Sequence, residues 1–244
     1  AAASVLAGVR RGESTSTGLA RVPGELRAAA QALAYHALRH LGRAEALRRQ
    51  LARRAPPPAA DALLCTALAL AWDPAQAPYE PFTLVDQAVD AAKRGRATAG
   101  QASFINACLR RFLRERDALV RATDDDPQAR WNHPGWWIER LQRDHPQAWQ
   151  DILTVSNSHP PLVLRVNGLR WTRDAAREAL AAAGIDARPV GEQGLLLPHP
   201  RPVHELPGFD AGKLSVQDAA AQLAAPLLLE GLPRPSGRPL RILD

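Results

Sequence analysis

Arginine side chains recur along residues 101–122 at spacings that suit contact with phosphate groups. Arg110, Arg114 and Arg121 follow three- and four-residue steps, and Arg111 lies beside them. The same periodicity gives an apolar face made of Phe104, Ile105, Cys108, Leu109, Phe112 and Leu119. Because guanidinium groups pair with oxyanions in a bidentate manner, the pattern predicts a helix that anchors a core and presents a positive surface. The alternative interpretation is an ordinary amphipathic helix with a solvated face.

A second group of cations, Lys93, Arg94 and Arg96, precedes this helix. The basic excess lies in the same half of the chain, since residues 1–122 carry 18 Lys+Arg against 10 Asp+Glu, whereas residues 123–244 carry 13 against 15. A positive helical region suits a phosphate backbone. These three cations and the four arginines of the helix are therefore candidate phosphate contacts.

Residue types that support catalysis or metal binding are sparse. His36 and His40 stand four residues apart, a spacing that can bind a metal, but no third ligand is evident nearby. Cys65 and Cys108 fall on apolar helical faces, where a buried, unreactive thiol is expected. The GxG, GxSxG, Walker A and CxxC patterns are absent. We therefore predict no catalytic residue, no metal site and no cofactor-binding loop within this sequence.

The first half of the chain predicts an all-α domain of about five helices. The predicted helices cover 1–11, 23–54, 61–72, 82–94 and 101–122. The second of them has a possible break at Gly42 and ends at a run of three prolines, because proline has no amide hydrogen to donate. The segment GESTSTG before it is predicted as a loop. The third helix is apolar almost all round, which predicts a central position in the bundle.

An acidic linker is predicted at 123–127, followed by two short helices over 133–157 that are divided at His145. Trp136, Trp137 and Trp149 could stack on nucleobases. At helical spacing, however, tryptophans are more typical of a packed core.

A small α/β unit is predicted from residue 159 onward. Its elements are a strand at 162–167, a helix from Thr172 to Ala183 closed by Gly184, and strands at 187–190 and 195–197. Ser215 and Asp218 form a capping-box pattern that predicts a helix over 216–229. Residues 239–243 are predicted as a buried strand, and a strand needs neighbours, so we expect the polypeptide to continue.

Composition places the chain among globular proteins, with 46% hydrophobic residues. The longest apolar run, 62–72, is too short to cross a bilayer, and the first residues lack the pattern of a signal peptide. Two cysteines do not make a disulfide framework. These features predict a cytoplasmic protein that does not associate with membranes.

Several segments resemble one family of RNA-modifying enzymes. Asn106–Glu115 is similar to the last helix shared by the antitermination factor NusB and the N-terminal domain of RNA cytosine-5 methyltransferases. Val85–Asp90 is similar to the acidic helix of that domain, with Asp86 and Gln87 where Asn and Glu are expected. The more specific matches are HPGWW from His133, HPPLVLRVN from His159 and SVQDAAAQLA from Ser215. Together they resemble the RsmB (Sun/Fmu) family, which methylates C5 of a cytosine in small-subunit ribosomal RNA.

The resemblance implies a multidomain fold and a division of the chain into four segments. These are a NusB-like RNA-binding helical domain (1–122), a linker with two short helices (123–158), a small α/β domain (159–212) and the start of a Rossmann-type methyltransferase domain (213–244). The family uses S-adenosylmethionine, and its cofactor loop and two catalytic cysteines would follow Asp244. Cys65 and Cys108 therefore inherit no role, and residues 1–244 are expected to be inactive.

The resemblance also implies that small-subunit ribosomal RNA is the partner, and it indicates no obligate protein partner. Under this interpretation the candidate RNA contacts are Arg110, Arg111, Arg114, Arg121, Lys93, Arg94 and Arg96. Gln217 and Asp218 either support the cofactor domain or serve only in helix capping. Two alternatives remain open: a stand-alone NusB-like RNA-binding module without catalysis, and a protein-interaction scaffold whose affinity is insensitive to RNA.

Overall fold

The computed structural model describes residues 1–230, and the chain divides into two compact units. The first unit is Ala1–Ser158, and the second begins at His159. No helix in the described part of the chain is long and apolar enough to cross a membrane. The strand predicted over 239–243 lies outside the described residues.

Helices make up the first unit, which confirms the predicted all-α fold of this region. The first seven are α1 (Ala2–Arg10), α2 (Thr15–Ala20), α3 (Gly24–Arg39), α4 (Leu41–Leu51), α5 (Pro58–Ala71), α6 (Pro81–Arg94) and α7 (Ala102–Arg121). A 3-10 turn at Ala99–Gln101 leads into α7. The unit continues with α8 (Pro127–Trp131), α9 (Gly135–Asp144) and α10 (Trp149–Ser156).

Helix α5 lies at the centre of the bundle, as its apolar sequence predicts. Leu64 and Leu68 have no exposed surface, and α1, α3, α4, α6 and α7 all pack against this helix. Helix α7 contributes Ile105 and Phe112 to the same core, both fully buried. Complete burial of such a side chain stabilises the fold by about 1.5–3 kcal/mol. The apolar face of α7 is therefore fixed on the bundle, which leaves its arginine face to solvent.

The loop prediction for GESTSTG was wrong, because most of this segment belongs to α2. Ser14 begins the helix by accepting a hydrogen bond from the amide of Thr17 at 3.1 Å. Leu19 is buried in a cluster with Val5 of α1. A Cβ atom on Gly18 would lie 3.3 Å from the Val5 side chain, so the glycine allows α2 to pack closely on α1.

The long helix predicted over 23–54 ends at Arg39 and begins again at Leu41, near the possible break foreseen at Gly42. Asn132, in the left-handed region at φ 55°, holds the junction. Its side-chain oxygen accepts from the Gly42 amide at 2.7 Å, and its side-chain nitrogen donates to the Leu38 carbonyl at 3.0 Å. The amide groups freed by the break are thus satisfied by a residue 90 positions away.

Two further contacts close this junction, which we call the α3–α4 joint. Asn157 donates a hydrogen bond to the Arg39 carbonyl at 2.8 Å. A Cβ atom on Gly42 would lie only 2.1 Å from the carbonyl oxygen of Gln128, so α8 packs directly on the backbone of α4. Residues far apart in sequence therefore determine where the helix breaks.

The acidic segment 123–127, predicted as a linker, is bonded to α4. Arg43 is 7% exposed and donates to Thr123 Oγ1 and Asp124 Oδ1, both at 2.7 Å. Arg49 pairs with Asp126 at 2.6 Å. The segment therefore ties the end of α7 to α4 and belongs to the first compact unit.

The second unit is built on an antiparallel sheet with strand order β2-β3-β1-β4. Its elements are β1 (Leu162–Val166), α11 (Arg173–Ala182), β2 (Arg188–Val190), β3 (Gly194–Leu197), β4 (Leu214–Val216) and α12 (Ala224–Leu229). Thr172 caps α11 by accepting from the Ala175 amide at 3.2 Å, and Gly184 has φ 72°, as the sequence predicts. The core between the sheet and α11 includes Leu164 and Leu180, both fully buried.

The helix predicted over 216–229 was wrong in its first half. Ser215 lies in β4, paired with Arg165 of β1, because a neighbouring strand offers this segment a hydrogen-bonding ladder that helical propensity does not match. Asp218 instead closes a turn, in which its carboxylate accepts from the Ala220 amide at 2.8 Å. A 3-10 turn at Ala221–Leu223 follows, and only then α12 begins.

Candidate nucleic-acid interface

Three arginines form a row on the solvent face of α7, and we call Arg110, Arg114 and Arg121 the arginine row. All three are exposed, as are the other four candidate contacts. Helix geometry separates successive members by about 6 Å and about 10 Å along the axis, within 40° of one another around it. The row therefore presents cations at intervals comparable to the spacing of phosphates along a nucleic-acid strand.

The arginine row keeps its charge largely free of carboxylates. Arg110 donates from Nε to Asn106 Oδ1 at 3.1 Å, a neutral partner. Within residues 1–230, Arg114 and Arg121 form no ion pair. Arg111, by contrast, pairs with Glu115 at 3.0 Å, one helical turn away. Arg111 is thus the least available of the four arginines predicted on this helix.

One acidic side chain interrupts the row. Asp117 lies on the same face, 76% exposed, and pairs with Arg116 at 3.5 Å. Exposed pairs of this kind contribute little to stability. The aspartate does, however, lower the positive potential between Arg114 and Arg121.

The second predicted group of cations lies at the end of α6. Arg94 pairs with Asp90 at 3.0 Å, whereas Lys93 and Arg96 form no ion pair within the part of the chain that the structure describes. Cations at a helix C-terminus also interact favourably with the helix dipole, so these residues have a structural role available to them. Because α6 packs on α7, one helical hairpin carries both groups.

The tryptophans of α8, α9 and α10 divide into two kinds. Trp131 and Trp149 pack edge to face with ring centroids 5.1 Å apart, beside a small cluster that contains Leu153. Trp136 is 68% exposed, so the prediction that it packs in a core was wrong. Trp137 touches it, with ring centroids 5.6 Å apart.

His36 lies in α3, and His40 follows the end of that helix. The two side chains are close together, and burial favours the neutral form of both. Their ring centroids are 4.7 Å apart, and His40 also lies 5.4 Å from the ring of Trp72. Burial, together with the charge of His36, lowers the pKa of His40 to about 4. Burial likewise lowers the pKa of His36. Residues 1–230 contain no group of three or more His, Cys, Asp or Glu side chains that could hold a metal ion.

Both cysteines are buried, as predicted. Burial and the charge of Asp61 raise the pKa of Cys65 to about 11, and burial raises the pKa of Cys108. The thiolate, which is the nucleophilic form, is therefore disfavoured at both positions.

Acid should destabilise the first unit through His40. Its pKa falls from 6.5 in the unfolded chain to about 4 in the fold, so the unfolded state binds more protons between these values. The free energy of unfolding should thus decrease, by roughly 2–3 kcal/mol, as the pH drops from about 6.5 to about 4. The groups that face His40 are His36, Arg39 and Asp73. Urea unfolding at several pH values measures the effect.

The variant His40→Gln should flatten this acid-induced loss relative to the parent chain. The matched control is His145→Gln, since His145 is exposed at the end of α9 and should leave the loss unchanged. Equal pH dependence in the parent chain and in His40→Gln would contradict the assignment.

Comparison with known proteins agrees with this architecture. Residues 5–114 match the NusB family, and residues 133–204 match the ferredoxin-like domain of RsmF/B-like methyltransferases. The chain thus has a region similar to the NusB family followed by a region similar to the RsmF/B-type ferredoxin-like domain. Arg110 and Arg114 lie within the residues that match the NusB family, and Arg121 follows them.

Curated relatives match a large part of this chain. Ribosomal RNA small subunit methyltransferase B of Pseudomonas syringae pv. tomato is 38% identical over 151 residues, which are 58% of this chain and 34% of the relative. The enzyme of the same name from Vibrio cholerae is 40% identical over 151 residues, 58% of this chain and 35% of the relative. The probable counterpart from Coxiella burnetii is 37% identical over 148 residues, which are 60% of this chain and 34% of the relative. The chain thus spans about a third of the length of these relatives.

A solved structure shares the fold. The crystal structure of PH0851 aligns with a TM-score of 0.62 at 16% identity, covering 93% of this chain and 54% of that chain. At this identity the likeness concerns the fold alone.

The region similar to the ferredoxin-like domain also carries cations that no helical charge pattern indicates. Arg165 and Arg170 lie at the end of β1 and in the loop after it. Arg165 belongs to the segment HPPLVLRVN, but the residues beside it in space, Gly194 and Ser215, come from distant strands. The sequence therefore gave no direct signal for the surface they form.

Proposed function

We propose that this chain is the RNA-binding portion of a cytoplasmic enzyme that transfers a methyl group from S-adenosylmethionine to C5 of a cytosine in small-subunit ribosomal RNA. The order of the two matched domains and the names of the curated relatives support the enzyme class. The observation that carries the RNA-binding part is the arginine row, a line of exposed guanidinium groups on a helix whose other face is fixed in the core.

The role of this chain is to bind and orient RNA. Exposed arginines neutralise phosphates and release counterions, which gives affinity that falls as salt rises. Such contacts set the register of the strand and carry no sequence information by themselves. The seven candidate contacts would therefore place the substrate, and discrimination of the target cytosine would require other contacts.

The described residues do not fit S-adenosylmethionine. The sheet in residues 1–230 is antiparallel throughout, whereas a dinucleotide-type cofactor site needs parallel strands and a glycine-rich turn into a helix. No step of methyl transfer is therefore assigned to these residues, and the chemistry would belong to a further part of the enzyme.

The test uses the full-length protein from its native source and the chain 1–244 side by side. Full-length protein should transfer label from methyl-labelled S-adenosylmethionine to unmodified small-subunit ribosomal RNA, and bisulfite sequencing should locate one protected cytosine. The chain 1–244 should bind the same RNA without transferring label. Binding without transfer by the full-length protein would instead favour a stand-alone RNA-binding module, and failure of both proteins to bind would exclude an RNA role.

A further inference from the structure

A groove of about 630 Å³ lies at the end of β1 in the second unit. Side chains from three separate regions meet there: Arg165 and Asn167 from β1 and its end, Gln193 from the turn before β3, and Ser215 from β4. Leu169 stands at its edge and is 98% exposed. The groove belongs entirely to the second unit and shares no residue with the arginine row.

The strand register explains why Arg165 faces the groove and not the core. Its neighbours Leu164 and Val166 are buried in the core with α11, so Arg165 points to the opposite face of the sheet. Directly beside it stand Gly194 on β3 and Ser215 on β4, both small. Arg165 and Ser215 line the groove, whereas Gly194 is buried and does not.

Gly194 is required at its position by the fold. A Cβ atom there would lie 2.4 Å from the carbonyl oxygen of Val190, closer than any side chain tolerates. The Val190 side chain and Gln222 Oε1 also lie within 3.1 Å of that position, so the sheet is closely packed on the β3 side of Arg165.

The charges of the groove favour an anion. Arg165 makes one weak contact, from Nε to Gln193 Oε1 at 3.5 Å, and its terminal nitrogens make no hydrogen bond within residues 1–230. Arg170 does not line the groove itself, but its Nη1 donates to the carbonyl oxygen of Ala211 at 2.9 Å, beside Gly212, which does. Among the described residues that line the groove there is no carboxylate.

The neutral groups of the groove suit the rest of a nucleotide. Ser215 offers a hydroxyl and Gln193 a side-chain amide, groups that pair with the edge of a base. Leu169 provides exposed apolar surface that the face of a base can cover. Unstacked bases of single-stranded RNA are the form in which proteins read such edges.

We propose that this groove binds one nucleotide of single-stranded RNA, with its phosphate on Arg165 and its base against Leu169. The inference rests on the proposed function, since it assigns a second RNA contact to the same enzyme. It differs from that function in location, because the contact lies in the ferredoxin-like domain and not in the NusB domain.

The first test measures binding of a fluorescent single-stranded RNA ten nucleotides long to the chain 1–244, by anisotropy over a range of salt concentrations. Arg165→Ala should weaken binding about tenfold and reduce the slope of log affinity against log salt by about 0.7, the loss of one phosphate contact. The conservative variant Arg165→Lys should recover the slope but only part of the affinity, because lysine lacks the planar fork.

The matched control is Arg188→Ala. Arg188 lies on β2 of the same sheet, is exposed, pairs with Asp186 at 3.7 Å and does not line the groove. This variant removes the same charge and should change affinity less than twofold. If Arg165→Ala and Arg188→Ala weaken binding equally, the loss is explained by net charge, and the proposal that the groove binds a nucleotide is wrong.

The second test locates the contact. RNA that contains 4-thiouridine, crosslinked to the chain and mapped by peptide mass spectrometry, should attach within 165–170 or 212–217. Crosslinks confined to α7, with Arg165→Ala binding like the parent, would overturn the groove and leave the proposed function intact. If variants of the arginine row also bind like the parent, both proposals fail.

Discussion

Replacing Arg110 and Arg114 with glutamate should lower the affinity of the chain 1–244 for single-stranded RNA about 100-fold at low salt. Each reversal removes a charge-assisted contact and adds repulsion, and one such contact corresponds to about a tenfold change. The slope of log affinity against log salt should fall by about 1.4, since each phosphate contact contributes about 0.7 for a single strand. Anisotropy titrations at several salt concentrations measure both quantities.

The control for this variant is Arg140→Glu with Arg143→Glu. Both residues are exposed on α9 of the same unit, both pair with Asp144, and the change in net charge is identical. The control should lose less than threefold in affinity. Asp117→Asn should change the RNA affinity in the opposite direction. Removing the carboxylate from the row should tighten binding two- to threefold. An unchanged slope in the double glutamate variant would show that the row does not contact RNA.

Replacing Gly42 with alanine should destabilise the first unit by about 3 kcal/mol or more. The added methyl would overlap the carbonyl oxygen of Gln128, which belongs to the backbone of α8 and cannot rotate away. Either α8 moves or α4 shifts, and both movements strain the bonds that Asn132 makes across the α3–α4 joint. The melting temperature of the unit should drop by roughly 6–12 °C.

Gly24→Ala is the control, because Gly24 lies at the start of α3 with no atom within 4 Å of its Cβ position. Alanine there should be neutral or should stabilise the helix by up to about 1 kcal/mol. Asn132→Gly tests the joint separately, since glycine tolerates the left-handed backbone and removes only the side-chain hydrogen bonds. A melting temperature for Gly42→Ala within 2–3 °C of the parent would correspond to a loss of only about 1 kcal/mol in the free energy of unfolding. That result would contradict the close approach of α8 to α4.

Periodic apolar residues were sufficient to predict most of the bundle. The central position of α5 and the orientation of α7 follow from which faces are apolar, and the structure confirms both. Helix α2 was missed because Thr, Ser and Gly are poor helix formers, and its stability comes from the Ser14 cap and from packing on Val5. Tertiary contacts therefore determine that this segment is helical.

Long-range contacts also explain the remaining differences. The break before Leu41 depends on Asn132 and Asn157, which no local pattern connects with it. Ser215 carried a capping pattern, yet pairing with β1 placed it in a strand.

The two candidate RNA surfaces differ in how visible they are in the sequence. The arginine row lies on one helix, so three- and four-residue spacing reveals it directly. The groove assembles Arg165, Gln193 and Ser215 through strand register, which single-sequence reasoning does not supply. The sequence also does not predict the exposure of Trp136, because helical spacing alone does not show whether another element packs against that face of the helix.

Each compact unit has a core of its own, and the residues of the core around α5 do not recur in the core between the sheet and α11. We therefore expect each unit to unfold as a cooperative unit of its own. In a calorimetric scan of the chain, the van't Hoff and calorimetric enthalpies should therefore differ, because equality requires a single two-state transition. Amide hydrogen exchange likewise has two reference states, one for the helical bundle and another for the sheet.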